Sequence, residues 1–133
     1  MNRIYALFLI LVLAITVALV AGGRSANSGG GFTELHRGEI TGTDGLEVVM
    51  GLVERSAASM TGKHYHPGGE FGFVIEGSVT VSREGEPDVT LRAGDSFYQR
   101  PGEWHVVGTT AEGAKAVVFR VLKKGQPAVV AVE

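Results

Sequence analysis

The stretch GKHYHPGGEFGFVIEG, residues 62–77, decides how the rest of the chain is read. It carries His64 and His66 on either side of Tyr65, with an acid, Glu70, four places after the second histidine. In an extended strand residues i and i+2 share a face, so both imidazoles project to one side and Tyr65 to the other. The Pro-Gly-Gly turn that follows can bring Glu70, at the start of the next strand, back beside them. Beyond Glu70 the same alternation puts Gly72 and Val74 on the ligand face, and Phe71, Phe73 and Ile75 on the opposite one. Neutral imidazoles and a carboxylate suit a borderline divalent ion such as Fe, Mn, Ni or Zn. One short motif cannot fill a coordination sphere. His105, in RPGEWHVV (100–107), is the candidate for a further ligand, again opening a strand after a glycine-containing turn. The fourth histidine, His36, lies among charges in ELHRGE (34–39) and reads as a solvated side chain. A lone histidine in a strand is more often a surface or core residue than a ligand. Three of four histidines at ligand spacing beside an acid tip the balance toward a metal.

Outward from this stretch, apolar runs of strand length recur between turn signals. They are LEVVMGLVE (46–54), EFGFVIEG (70–77), SVTVSRE (78–84), DVTLR (88–92), DSFYQR (95–100), HVVGTT (105–110), AKAVVFRVL (114–122) and AVVAV (128–132). No segment keeps a helical apolar stripe, so the pattern is that of an all-β sandwich or small barrel. Glycine, at 20 of 133 residues, is about twice its usual share, as many turns require. Cysteine is absent, which removes disulfides, thiolate ligands and a cysteine nucleophile, and leaves nitrogen and oxygen to hold any metal. A formal charge of -2 gives no basic surface for nucleic acid. No Ser-His-Asp order, phosphate-cradling loop or paired carboxylates stand out.

The N-terminus is a separate object. Arg3 precedes an apolar run from Ile4 to Ala21, an N-terminal hydrophobic helix that reads either as a secretory signal or as an uncleaved anchor. Ala21 and Gly23 suit a signal peptidase cutting before Arg24, which favours the signal. Either way the rest is exported, to the periplasm or beyond, and touches a membrane only through residues 4–21 if uncleaved. The expected organisation is residues 1–23 as signal or anchor, 24–31 (RSANSGGG) as a flexible linker, and 32–133 as one domain.

The residues now on the page resemble the two motifs of the cupin superfamily. HYHPGGEFGFVIEG is similar to the first, His-x-His then Glu then Gly, at His64, His66, Glu70 and Gly77. GDSFYQRPGEWH is similar to the second, at Gly94, Gly102 and His105. Three positions depart from the usual pattern: Arg100 stands in place of proline, with Pro101 one place later, Thr109 in place of the closing asparagine, and Ala58 in place of the opening glycine. The resemblance extends over essentially the whole exported chain. It implies a small double-stranded β-helix, or jelly-roll, barrel holding one divalent metal on His64, His66, Glu70 and His105.

The resemblance also implies chemistry. Three histidines and one glutamate are the set of quercetin-type dioxygenases, in which Glu70 would double as the catalytic proton acceptor. A non-catalytic cupin that retains a small ligand or metal is the alternative reading. Homodimers are common in the family. For a substrate pocket, Gly72 is expected to open room beside the metal or else to ease a bulge. Tyr98 and Trp104 are candidate aromatic walls, and Val107 and Thr109 point inward by alternation from His105. Gln99 and Arg100 are candidates to bind a carboxylate or hydroxyl, or else belong to a solvated turn.

Overall fold

The computed structural model describes residues 30–133, and the expected signal or anchor, residues 1–23, lies outside them. Eight strands and no helix make up the described residues: β1 (Gly31–Glu39), β2 (Leu46–Arg55), β3 (His64–Tyr65), β4 (Gly69–Arg83), β5 (Val89–Arg92), β6 (Ser96–Gln99), β7 (His105–Lys123) and β8 (Val130–Ala131). All pairings are antiparallel.

Two long strands, β4 and β7, run side by side and turn a corner together. Their first register, Gly69↔Val121 to Gly77↔Ala114, gives way after bulges to a second, Val79↔Thr109 to Arg83↔His105. Gly77 and Gly113 mark the corner with φ of 70° and 71°. A Cβ built on Gly77 would meet the carbonyl oxygen of Gly113 at 2.0 Å, so only glycine allows the strands this close. The corner divides one curled sheet into two walls. The first wall is β1, β2, the later part of β7, the earlier part of β4, and β6. The second is β5, the later part of β4, the earlier part of β7, β3 and β8.

Alternation sorts the side chains. Along β4, Glu70, Gly72 and Val74 are buried while Phe71, Phe73 and Ile75 are exposed. Val74, Val79, Val81 and Ala114 form the packed core, with Leu91 and Val107 against it. On the outer face Phe71 lies opposite both Tyr98 and Phe119, leaving an apolar surface of aromatic rings. Several expected strands are fused. Residues 69–83 form one bent strand where two are expected, and 105–123 likewise. Gly31, the last residue expected in the linker, begins β1.

Candidate functional site

Between the two walls lies a cavity of about 460 Å³, and His64, His66 and His105 line it. Each histidine arrives by a different route. His64 sits in β3 directly opposite His105, the first residue of β7. His66 follows two places after His64, just before the turn into β4. One nitrogen from each lies within 4.8 Å of those of the other two, and the ring centroids are 4.3–5.3 Å apart.

The backbone fixes which nitrogen faces the group. His64 Nδ1 lies 2.9 Å from the carbonyl of Gly62, His66 Nδ1 2.7 Å from that of Ala128, and His105 Nδ1 3.4 Å from that of Glu103. A carbonyl only accepts, so each Nδ1 carries the hydrogen and each Nε2 keeps its lone pair. A main-chain carbonyl behind the ring is the usual second support of a metal-binding imidazole. Burial also favours the neutral form of two of the rings. It pushes His66 below its ordinary pKa, and it pushes His105, with His64 adding to the effect, down to about 4. Three imidazoles converging, each with Nδ1 held by a backbone carbonyl, are a donor set that fits a divalent ion.

Glu70 stands beside this group rather than in it. Its Oε2 lies 3.5 Å from His66 Nε2 and 2.5 Å from Arg120 Nε. The cause is register: Glu70 and Arg120 are direct partners across β4 and β7, both inward-facing and both buried. Arg120 also stacks on Phe32, its Cζ 4.4 Å from the ring centroid. Sequence reasoning missed Arg120, Arg83 and Arg55, all of which line the cavity. The available signal was parity, since Arg120 alternates with Val118 and Leu122 on the buried face of β7.

The expected pocket residues divide. Val107 lines the cavity. The room left by Gly72 is filled by the Phe97 ring, which a Cβ there would meet at 2.1 Å, so the glycine houses an aromatic instead of opening space. Tyr98 lies on the outside, stacked on Phe71 with centroids 4.7 Å apart. The Trp104 ring carries Lys63 Nζ at 3.7 Å, and its Nε1 donates to Glu84. Thr109 faces the 56–60 loop: its Oγ1 accepts from Ser59 N and donates to the carbonyl of Ser56. Gln99 is buried in the cavity wall, accepting from Arg83 and donating to Glu103. Arg100 is exposed and paired with Glu86 and Glu103. His36 is exposed on β1.

Comparison with known proteins agrees with the geometry. The family model for the cupin domain matches residues 52–122, more than half of the chain. No curated protein matches it in sequence. Among solved structures it is similar to the DMSP lyase DddQ from Ruegeria pomeroyi DSS-3, with a TM-score of 0.64 and 23% identity over 83% of this chain and 55% of that one. A Klebsiella pneumoniae protein with a double-stranded beta-helix domain has a TM-score of 0.62 and 19% identity, over 83% of this chain and 90% of that one. An oxalate oxidase in complex with the substrate analogue glycolate has a TM-score of 0.61 and 27% identity, over 84% and 59%. The chain thus spans about half the length of the lyase. Ala58 keeps the backbone of the glycine it replaces, with φ of 50°, so the departure in the first motif leaves the loop's shape intact. With its motif pair, its curled all-β sheet and the family match, the chain belongs to the cupin family.

Proposed function

We propose that this is an exported cupin whose cavity holds one divalent ion (Fe, Mn, Ni or Zn) and carries out dioxygenase-type oxidation of a small organic substrate. The observation that carries the reading is the set of three imidazoles with one nitrogen each within 4.8 Å of the others and each Nδ1 beside a backbone carbonyl. An ion held by His64, His66 and His105 supplies Lewis-acid chemistry and, if redox-active, the means to use O2. Glu70 is within reach of the same point as a proton acceptor for a substrate hydroxyl, and Arg120 fixes its carboxylate in place. The wall of Val79, Val81, Leu91 and Val107 keeps water away from the apolar part of a ligand. The oxalate oxidase in the comparison is itself an oxidase holding a small organic acid, which supports oxidative chemistry in such a cavity.

Elemental analysis of protein purified without chelator tests the reading, beside the His64→Ala/His105→Ala variant. Near-stoichiometric metal, lost in the variant, is the expected result. Metal absent from both, even after reconstitution, would sink it. A second reading is favoured by the position of Glu70, which leaves three protein ligands grouped and the fourth on Arg120. On it the cavity retains a ligand or metal without turnover. O2 uptake that depends on Fe, Mn or Ni decides against it.

Export rests on residues 1–23 and predicts a mature N-terminus at Arg24. The homodimer reading finds its surface in the exposed rings of Phe71, Phe73, Tyr98 and Phe119, an apolar face that a two-fold contact sets against itself. Sedimentation velocity is expected to show a dimer that Phe73→Lys dissociates; a monomeric wild type would count against it.

A further inference from the structure

The charges of the cavity wall do not balance. Arg55, Lys63, Arg83 and Arg120 line it, against the single acid Glu70. Two of the four cations are engaged locally. Arg83 is held by Gln99, Glu86 and Glu103, and Lys63 lies over the Trp104 ring. The other two each keep a buried nitrogen with no partner among the described residues, Nε of Arg55 and Nη1 of Arg120. A buried guanidinium with donors to spare is costly unless something completes it.

The two differ in place. In the β2–β7 register Arg55 lies opposite Ala114, six residues along β7 from Arg120, or about 20 Å at ~3.3 Å per residue. Arg120 is the one beside the histidines, one carboxylate away from His66. Of its five N–H donors, Nε–H goes to Glu70. The guanidinium lies over the Phe32 ring, its Cζ 4.4 Å from the centroid, and that ring occupies the space left by Gly51. Its side chain is 5% exposed. A planar, immobilised fork in a mostly apolar cavity recognises a planar anion with two acceptor oxygens.

We propose that the ligand of this cavity is a small carboxylate, anchored by the Arg120 donors that Glu70 leaves unused. This rests on the reading above for the ligand's position beside the histidines, while the contact itself needs no metal. The carboxylate seats on the guanidinium, and the remainder of the molecule extends over Val79, Val81 and Val107 toward the three Nε2 atoms. Glu70 then has a positioning role for Arg120 as well as its own, since it holds Nε and so orients the free edge of the fork.

Calorimetric titration of the full-length, metal-free protein with benzoate and with benzamide tests the proposal. The two probes share size and shape and differ in charge. The wild type is expected to bind benzoate at least about tenfold more tightly, as a charge-assisted pair in a desolvated site requires. In Arg120→Gln/Glu70→Gln, which removes both charges and leaves neither buried alone, the preference is expected to fall to about twofold or less. Preference kept in that variant, absent from the wild type, or lost instead in Arg83→Gln overturns the proposal. If the double variant does not fold, Arg120→Lys decides: it keeps a cation paired with Glu70 but removes the planar fork, so the preference should fall to about threefold or less, and an unchanged preference overturns the idea. Metal content of the same preparations separates the two readings. A wild type that holds no metal but prefers benzoate defeats the metal centre alone, and one that binds metal without the preference defeats the anchor alone.

Discussion

Arg120 faces Glu70 directly across the β4–β7 ladder, and its Nε lies 2.5 Å from Glu70 Oε2. The carboxylate that the histidine motif places with the imidazoles is therefore shared with a buried cation. Because both side chains are withdrawn from water, neither is tolerable without the other. Arg120→Gln is expected to destabilise the fold by about 3–5 kcal/mol, the cost of leaving one buried charge uncompensated. Adding Glu70→Gln should recover most of that loss. Urea denaturation of the two variants checks it, and a double variant no better than the single would refute the coupling.

Acid should weaken the metal-free protein through the same site. His105 is held down to about 4 from an ordinary 6.5, chiefly by burial, and burial lowers His66 as well. The unfolded chain takes up these protons near pH 6.5 and the folded one only well below it. Stability is thus fully present above about pH 6.5 and is lost as the pH falls toward 4. For His105 the loss is on the order of 3 kcal/mol across that window. Denaturation curves at pH 7.5 and 4.5 measure it, and His105→Gln should flatten the difference. A wild type equally stable at both would show that burial does not hold the ring neutral.

The parts of the fold legible in the sequence are those where one face is buried and the other wet. Alternation through residues 70–75 placed Glu70 inside and Phe71, Phe73 and Ile75 outside, as the structure has them. β1 was illegible for the opposite reason. It is an edge strand, its residues 32–37 are all exposed, and a bulge between Glu34 and His36 breaks its period. The bends at Gly77 and Gly113 are not legible because φ above zero usually ends a strand, whereas here both strands bend and continue. In the site, the cluster of three histidines could be read because histidines at that spacing are rare. The burial of Arg120 is signalled by parity, but its pairing with Glu70 could not be read, because it is set by a cross-strand register linking positions 50 residues apart.

The corner makes a prediction in two directions. Gly77→Ala combines a left-handed backbone with a Cβ 2.0 Å from the Gly113 carbonyl oxygen, neither of which can relax cheaply. It should cost at least about 2–3 kcal/mol, by the strain terms for αL and for overpacking together. Ala58 has φ of 50° without glycine's freedom, so Ala58→Gly should stabilise by about 1 kcal/mol. Thermal melts of both suffice. A neutral Gly77→Ala would mean that the strands separate more easily than their contact implies.

Gly72 offers the sharpest test of what its missing side chain is for. If the glycine opened room for a ligand, Gly72→Ala would narrow the cavity and spare the fold. The Phe97 ring fills that space instead, 2.1 Å from where the Cβ would sit, and the ring lines the cavity. The added methyl must therefore push an aromatic into the cavity or strain β4 and β6, which are paired at Gly72 and Phe97. A loss of about 1–3 kcal/mol is expected for Gly72→Ala, as for overpacking generally. Phe97→Leu removes the clashing end of the ring, so in that background Gly72→Ala should cost less than about 1 kcal/mol, a positive coupling between adjacent sites. Equal costs in both backgrounds would mean that the penalty comes from the β4 backbone, and the ring would then be a passive neighbour.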